Sequence, residues 1–295
     1  MSSAAPGSTP PNSASREPSR RRRHGRYSFR MRIAAVQLTS TDDLEANLQA
    51  ARERVAEAVE RGAEFIALPE NFAYLRREGL PIPCAQSLEG EIISTVRELA
   101  HSHGVWLLGG TFPEVVDGGD RVHNTSVLVR PDGEIEAVYR KIHLFDIDLG
   151  EDARFTESLT VAPGDEVVVA KTPFGGVGLS VCYDVRFPEL YRSMADRGMT
   201  VVCVPAAFAP QTGRDHWEVL LRARAIENQV FVVAPAQCGR HSEERVSYGR
   251  SMIIDPWGLV LAQAADHPGV IVADCDLDDL ERIRGELPAL KHRRL

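Results

Sequence analysis

Cysteine, aromatic residues and long apolar runs are all scarce in this 295-residue chain. Five cysteines, an odd number with no CxxC spacing, exclude a disulfide framework and a zinc cluster. They point to a reducing compartment, and the cytoplasm is the expected location. The longest apolar runs, such as Val201–Pro210 (VVCVPAAFAP), reach about half of the ~20 residues that a membrane-spanning helix needs, which excludes a transmembrane protein. Positive charge is also short once the first thirty residues are set aside. Those thirty hold seven arginines against one glutamate, whereas the remainder carries 27 Lys and Arg against 41 Asp and Glu. A body that acidic is a poor partner for nucleic acid. The histidines are scattered, with no HExxH, so no metal and no cofactor is called for. What is present suits a folded protein. Hydrophobic residues make up 43% and charged residues 26%, and the length allows one large domain or two average ones.

Residues 1–30 are rich in Ser, Pro and Ala and carry a basic cluster at Arg20, Arg21, Arg22, Arg23 and Arg26, without the apolar stretch of a secretory signal. Such a composition buries too little surface to offset the entropy of ordering, so a disordered tail is expected over 1–30 and the folded domain over 31–295. The plain reading is a solvated tail ahead of an alternative start at Met31. An organelle transit peptide, a basic localisation signal and an arm for anionic surfaces are the other readings.

From Met31 onward no repeat is evident, and strand-like and helix-like segments alternate. Arg32–Leu38 (RIAAVQL) and Glu64–Pro69 (EFIALP) read as short apolar strands. Between them Leu44, Leu48, Ala51, Val55 and Val59 recur at helical spacing, with Asp42 or Asp43 as cap and Gly62 as stop. Ile92, Val96, Leu99 and Ala100 mark a second helix ending near Gly104, followed by a strand over Val105–Phe112. Pro131-Asp132-Gly133 and Asp255-Pro256-Trp257-Gly258 read as turns of two hairpins. The mixture of βα units and hairpins predicts an α/β fold with mixed sheets inside and helices outside.

In open α/β sheets reactive groups gather at the carboxyl ends of strands. Three such ends carry one here: Glu70 after FIALP, Lys141 closing IEAVYRK, and Cys182 closing GGVGLSVC. Cys182 precedes a segment, Pro188–Arg197, that reads as a helix, and a dipole at its start would favour thiolate. The ordinary reading of a lone cysteine is a small buried hydrophobe, and it is preferred for Cys203 and Cys275, with Cys84 and Cys238 open. A cysteine nucleophile needs a base. His143, His216 and His123 are candidates, and Glu70 is the alternative, since burial raises a carboxylate's pKa towards neutrality. Lys141 is suited to an oxyanion, although most lysines are simply surface charges.

At these residues the chain resembles the nitrilase superfamily of carbon–nitrogen hydrolases. The family's Glu–Lys–Cys triad appears as ALPEN (Glu70), YRKIHLFD (Lys141) and VCYDVRFPEL (Cys182), and a second family glutamate falls on Glu157 in RFTES. The similarity runs from Met31 to the C-terminus. HWEVLLRARAIENQ, AQCGRH, SYGRSMIIDPWG and LPALKHRR look like the amidase branch that acts on deaminated glutathione. The omega-amidase branch, acting on 2-oxoglutaramate-type substrates, matches AQCGRH less well. Arg250 stands where a histidine is expected, which bears on fine substrate preference.

The resemblance implies a four-layer αββα sandwich of two mixed sheets between helix layers, and a homodimer or higher homo-oligomer. It implies a small-molecule amide substrate, cleaved to carboxylate plus ammonia through a thioester on Cys182. Glu70 serves as base, Lys141 and the backbone N–H of Tyr183 hold the oxyanion, and Glu157 orders Lys141. Arg186 and Thr212 are the expected contacts to the substrate's carboxylate, a structural ion pair being the other reading of Arg186. Trp217 and Leu220 are expected to pack. A non-catalytic binding or scaffold protein on the same fold is the remaining alternative.

Overall fold

Alternate residues of the strand Arg26–Gln37 belong to two different cores. Ile33 and Ala35 join the core between two sheets, whereas Ala34 and Val36 join the one beneath two helices. A strand apolar on both faces is what a sheet covered on both sides requires. The computed structural model describes residues 1, 20–23, 26–77, 82–116, 118–148 and 154–294. In it two sheets stack between helices as the expected αββα sandwich.

The first sheet runs, in spatial order, Arg20–Arg23, Arg26–Gln37, Phe65–Ala67, Trp106–Leu108, Val122–Val129 and Phe112–Val115. Gly269–Asp276 also pairs with Arg26–Gln37, and Ile135–Arg140 with Val122–Val129. The second sheet runs Val169–Thr172, Gly175–Leu179, Met199–Cys203, Phe231–Ala234, Met252–Ile254 and Val260–Gln263. Each sheet contains three neighbouring parallel strands linked by helices. In the first these are Arg26–Gln37, Phe65–Ala67 and Trp106–Leu108, with helices Leu44–Glu60 and Glu91–His103. In the second they are Gly175–Leu179, Met199–Cys203 and Phe231–Ala234, with helices Pro188–Asp196 and Glu218–Asn228. The halves therefore share one plan although the sequence shows no repeat.

Local chemistry sets the element ends. Asp43 caps the first helix, its Oδ1 accepting from the Ala46 N–H at 3.0 Å. Gly104, left-handed at φ 64°, closes the second. Pro188 opens the third, where its missing N–H costs nothing. Both expected hairpins form, at Val122–Val129 with Ile135–Arg140 and at Met252–Ile254 with Val260–Gln263.

Two features differ from the sequence expectation. Arg20–Arg23 forms a separate strand that pairs antiparallel with Arg26–Phe29 in the first sheet. Backbone pairing to a preformed strand needs no apolar side chains, which is why composition misses it. The rest of the expected tail, residues 2–19, 24 and 25, lies outside the described residues. Second, Gly269–Asp276 had no assignment from sequence, yet it pairs along eight residues with 30–37. Among the described residues no helix is long and apolar enough to cross a membrane.

Candidate active site

The segments that follow the parallel strands of the two halves meet and interlock. Glu70 follows Phe65–Ala67, and its Oε2 accepts from the backbone N–H of Ala207, beyond Met199–Cys203, at 2.8 Å. Gln237, beyond Phe231–Ala234, donates from Nε2 to the Glu70 carbonyl at 3.0 Å. Gly110, at φ 46°, packs so closely here that a Cβ would lie 2.1 Å from the Pro69 carbonyl oxygen. Only glycine admits that approach to the chain that carries Glu70.

Glu70, Lys141, Glu157 and Cys182 line a single cavity. Lys141 is almost fully buried; its Nζ lies 3.1 Å from Glu70 Oε1 and 2.8 Å from Glu157 Oε2. Burial alone would lower its pKa, but the charges of Glu157 and Glu70 outweigh burial and hold the ammonium well above its ordinary range. Burial likewise works to raise the Glu157 carboxyl, and the Lys141 ammonium and the hydrogen bonds overcome it, so Glu157 titrates lower than usual. Glu157 also accepts from the Phe145 N–H at 2.6 Å. Asn124 bridges the two acids, donating from Nδ2 to Glu70 Oε1 at 2.9 Å and to Glu157 Oε1 at 3.3 Å. Sequence reading missed Asn124, which sits mid-strand with no local signal.

Cys182, beyond the strand Gly175–Leu179, takes a left-handed conformation at φ 46°, rare for a residue with a side chain. Its N–H donates to the Pro205 carbonyl at 2.9 Å. The thiol is pushed well above its ordinary pKa, first by burial and then by the charge of Glu70, with Lys141 opposing. The sequence expectation of a dipole-stabilised thiolate is thus reversed. A short 3-10 turn, Cys182–Arg186, separates the cysteine from the helix at Pro188, and desolvation dominates. A thiol in this state needs a base, and the Glu70 carboxylate lines the same cavity.

Asp184, fully buried, supports the turn. Its Oδ2 accepts from the Val181 N–H at 2.8 Å and the Tyr139 hydroxyl at 2.6 Å. Its Oδ1 accepts from the His143 N–H at 3.1 Å and lies 2.7 Å from His143 Nδ1. One carboxylate thereby ties the residue before Cys182 to the segment just after Lys141. Asp184 stands inside the VCYDVRF motif, but its partners Tyr139 and His143 come from a remote segment, so its role was not readable.

The candidate histidines are otherwise engaged. His143 is held by Asp184 and stacks on Phe187 with ring centroids 3.7 Å apart. His216 lies 3.3 Å from Arg186 Nη1, and His123 Nδ1 lies 2.9 Å from the Ala162 carbonyl. Of the expected substrate contacts, Thr212 lines the cavity, and its Oγ is buried without a hydrogen-bond partner. Arg186 is not among the cavity-lining residues. Its guanidinium lies 5.2 Å from the Phe208 ring centroid and 5.7 Å from that of Tyr183. Arg76 and Arg245, which the sequence did not single out, do line the cavity. Tyr183 forms part of its wall, edge-on to Phe145 at 5.1 Å. Trp217 is core, donating to the Arg250 carbonyl at 2.9 Å, and Arg250 pairs outward with Asp266. Cys203 and Cys275 are buried in the inter-sheet core, as expected for inert thiols. Among the described residues no group of three or more His, Cys, Asp or Glu is placed to hold a metal ion.

A buried thiol, an ammonium between two carboxylates and an orphaned hydroxyl in one cavity suit covalent attack on a carbonyl. The sequence matches the carbon–nitrogen hydrolase family over residues 32–285. The chain belongs to this family. It is an amide hydrolase of the nitrilase superfamily. It is 45% identical over 263 residues to a deaminated glutathione amidase of Synechocystis, covering 88% of this chain and 97% of that one. Among solved family structures, Saccharomyces cerevisiae Nit3, a member of branch 10 of the superfamily, is 30% identical with a TM-score of 0.80, over 90% of this chain and 97% of that one. A variant of the amidase from Nesterenkonia sp. AN1 shows covalent addition of the acetamide moiety of fluoroacetamide at its active site cysteine. It is 28% identical with a TM-score of 0.71, over 90% of this chain and 94% of that one.

Proposed function

We propose that the chain hydrolyses the amide of a 2-oxo acid, with deaminated glutathione as substrate, through a thioester on Cys182. The observation that carries this is the buried Cys182 thiol in one cavity with Glu70 and the Lys141–Glu157 pair. Glu70 takes the thiol proton as sulfur attacks the carbonyl carbon. Lys141 and the Tyr183 N–H receive the charge that builds on oxygen. Removal of one such donor typically costs about 3–4 kcal/mol in the barrier. Glu70 then hands its proton to the departing nitrogen as the C–N bond breaks. Water, deprotonated by Glu70, attacks the thioester, and sulfur leaves and recovers a proton. Glu157 acts through Lys141, fixing the ammonium at 2.8 Å. Ammonia leaves a primary amide. Deaminated glutathione carries its amide nitrogen on a peptide, so there the released group is an amine.

The omega-amidase reading predicts the same chemistry with 2-oxoglutaramate. Both substrates yield 2-oxoglutarate, so measuring that product from each, with purified protein, separates the two readings. A mass increment on the Cys182 peptide after acid quenching tests the covalent step. Full activity in Cys182→Ala would end the scheme. A purely binding protein is disfavoured on energetic grounds, because burying Lys141 with two carboxylates is costly and brings no binding surface.

The same reading extends to a cytoplasmic homodimer or higher homo-oligomer. Val219, Ile226, Trp257 and Leu259 stay exposed along the helix Glu218–Asn228 and the adjoining turn, and a self-association surface explains them. Sedimentation of Trp257→Lys against wild type, with a shift to smaller species expected, tests it.

A further inference from the structure

At the catalytic end of the cavity two carboxylates, Glu70 and Glu157, face one ammonium, Lys141. A substrate that carries a carboxylate is repelled there unless cations flank its path. Two arginines line the same cavity. Arg76 has a partner of its own. Arg245 is different: half-buried, it makes no side-chain hydrogen bond or ion pair among the described residues.

The backbone around Arg245 is nevertheless firmly held. It stands between the strands Cys238–Arg240 and Val246–Tyr248. The His241 N–H donates to the Arg245 carbonyl at 2.9 Å, and the Arg245 N–H to Ser242 Oγ at 3.1 Å. Cys238 N–H bonds the Leu38 carbonyl and Tyr248 N–H the Phe208 carbonyl, both at 2.8 Å, which pins the hairpin to both halves of the fold. The neighbouring His241 is buried, its Nδ1 2.8 Å from the Ser40 carbonyl, and burial pushes its pKa down to about 4, so it stays neutral.

A second observation comes from the adjoining segment. Gly213 packs against Tyr248, where a Cβ would lie 2.4 Å away, so the chain at Thr212 runs beside the strand that follows Arg245. Thr212 Oγ lines the cavity, buried and without a partner. A preplaced guanidinium lacking an anion and a hydroxyl lacking a partner share one cavity.

We propose that Arg245, with the Thr212 hydroxyl, is a carboxylate subsite of this active site and determines its preference for anionic amides. Its planar fork suits two-point recognition of a carboxylate, which a lysine does not reproduce. The identity of the substrate rests on the proposed function above, whereas the carboxylate binding does not.

Two measurements keep those claims apart. The first needs no turnover: 2-oxoglutarate is titrated against alkylation of Cys182 by iodoacetamide. In Arg245→Gln the half-protecting concentration should rise at least about tenfold, and in Arg245→Lys by less. Alkylation without 2-oxoglutarate should proceed as in wild type, which shows an intact site. The second compares KM for deaminated glutathione and for 2-oxoglutaramate. A rise on both assigns Arg245 to the carboxylate of the acyl part, and a rise on deaminated glutathione alone to that of the departing peptide; either supports the subsite. Unchanged protection together with unchanged KM on both overturns it. If wild type turns over neither amide, the substrate reading fails while the protection assay still tests Arg245.

Discussion

The two halves of the sandwich follow the same strand–helix plan but prepare their reactive residues differently. In the first, Glu70 opens a turn beyond Phe65–Ala67, and the left-handed residue is its neighbour, Asn71, at φ 56°. Side-chain and backbone donors from Lys141, Asn124 and Ala207 aim the carboxylate. In the second, Cys182 itself takes the left-handed conformation, and no hydrogen bond is needed to aim its sulfur because the backbone turn does so. A base that must gain and lose a proton twice is held by hydrogen bonds that tolerate both states. A nucleophile that must reach one carbonyl carbon is held by strain, of order 1–3 kcal/mol, that its surroundings hold in place.

The contrast can be broken in stages. Cys182→Ala and Glu70→Gln should each lower kcat/KM by about 10⁴-fold, and only Glu70→Gln should still be alkylated by iodoacetamide, at a reduced rate. Lys141→Met should mainly damage the first half. It leaves two buried carboxylates without their cation, and a loss of about 3–5 kcal/mol in urea unfolding is expected. Asp184→Asn should strike the second half, because it replaces an acceptor of four contacts with a group that has only one acceptor oxygen. A fall in kcat of about 10²-fold with KM little changed is expected, and a rise in KM with kcat unchanged would refute the positioning role. Tyr139→Phe removes one hydrogen bond from Asp184 and should cost only about 1–2 kcal/mol in stability.

Acidity sharpens the picture further. Glu157 titrates below its ordinary 4.5 when folded, so its contribution is complete above about pH 4.5 and is lost as pH falls through the lowered folded value. Lys141 is raised above 10.5, so its contribution is complete below that pH and is lost as pH rises through the higher folded value. Urea midpoints across pH should therefore show a plateau between these limits, and Glu157→Gln should flatten the acid edge.

Much of this was legible without coordinates, and for identifiable reasons. Strand ends at Glu70, Lys141 and Cys182 are local patterns, as are the Asp43 cap and the Gly133 and Gly258 turns. Asn124 and Asp184 were invisible because their side-chain partners lie 33 to 54 and 41 to 45 residues away in sequence, brought near only by the fold. Strand Gly269–Asp276 was missed for the same reason, its partner being over 200 residues upstream. The dipole argument for Cys182 failed because it weighed one attraction and omitted desolvation. Arg186 stood out from its distance along the chain to the nucleophile; in the structure its guanidinium lies over Phe208 and Tyr183, which wall the cavity, while Arg245, with no local signal, lines the cavity itself.

The contact between Glu70 and the Ala207 amide has a consequence for how the chain comes to life. Carboxylate and sulfur are contributed by separate lobes, so neither lobe is chemically competent by itself. While the polypeptide is still assembling, its future nucleophile is an unremarkable thiol with no proton acceptor in reach. Reactivity arrives together with the final docking of the lobes, and unfinished molecules have little means of consuming metabolites or modifying themselves.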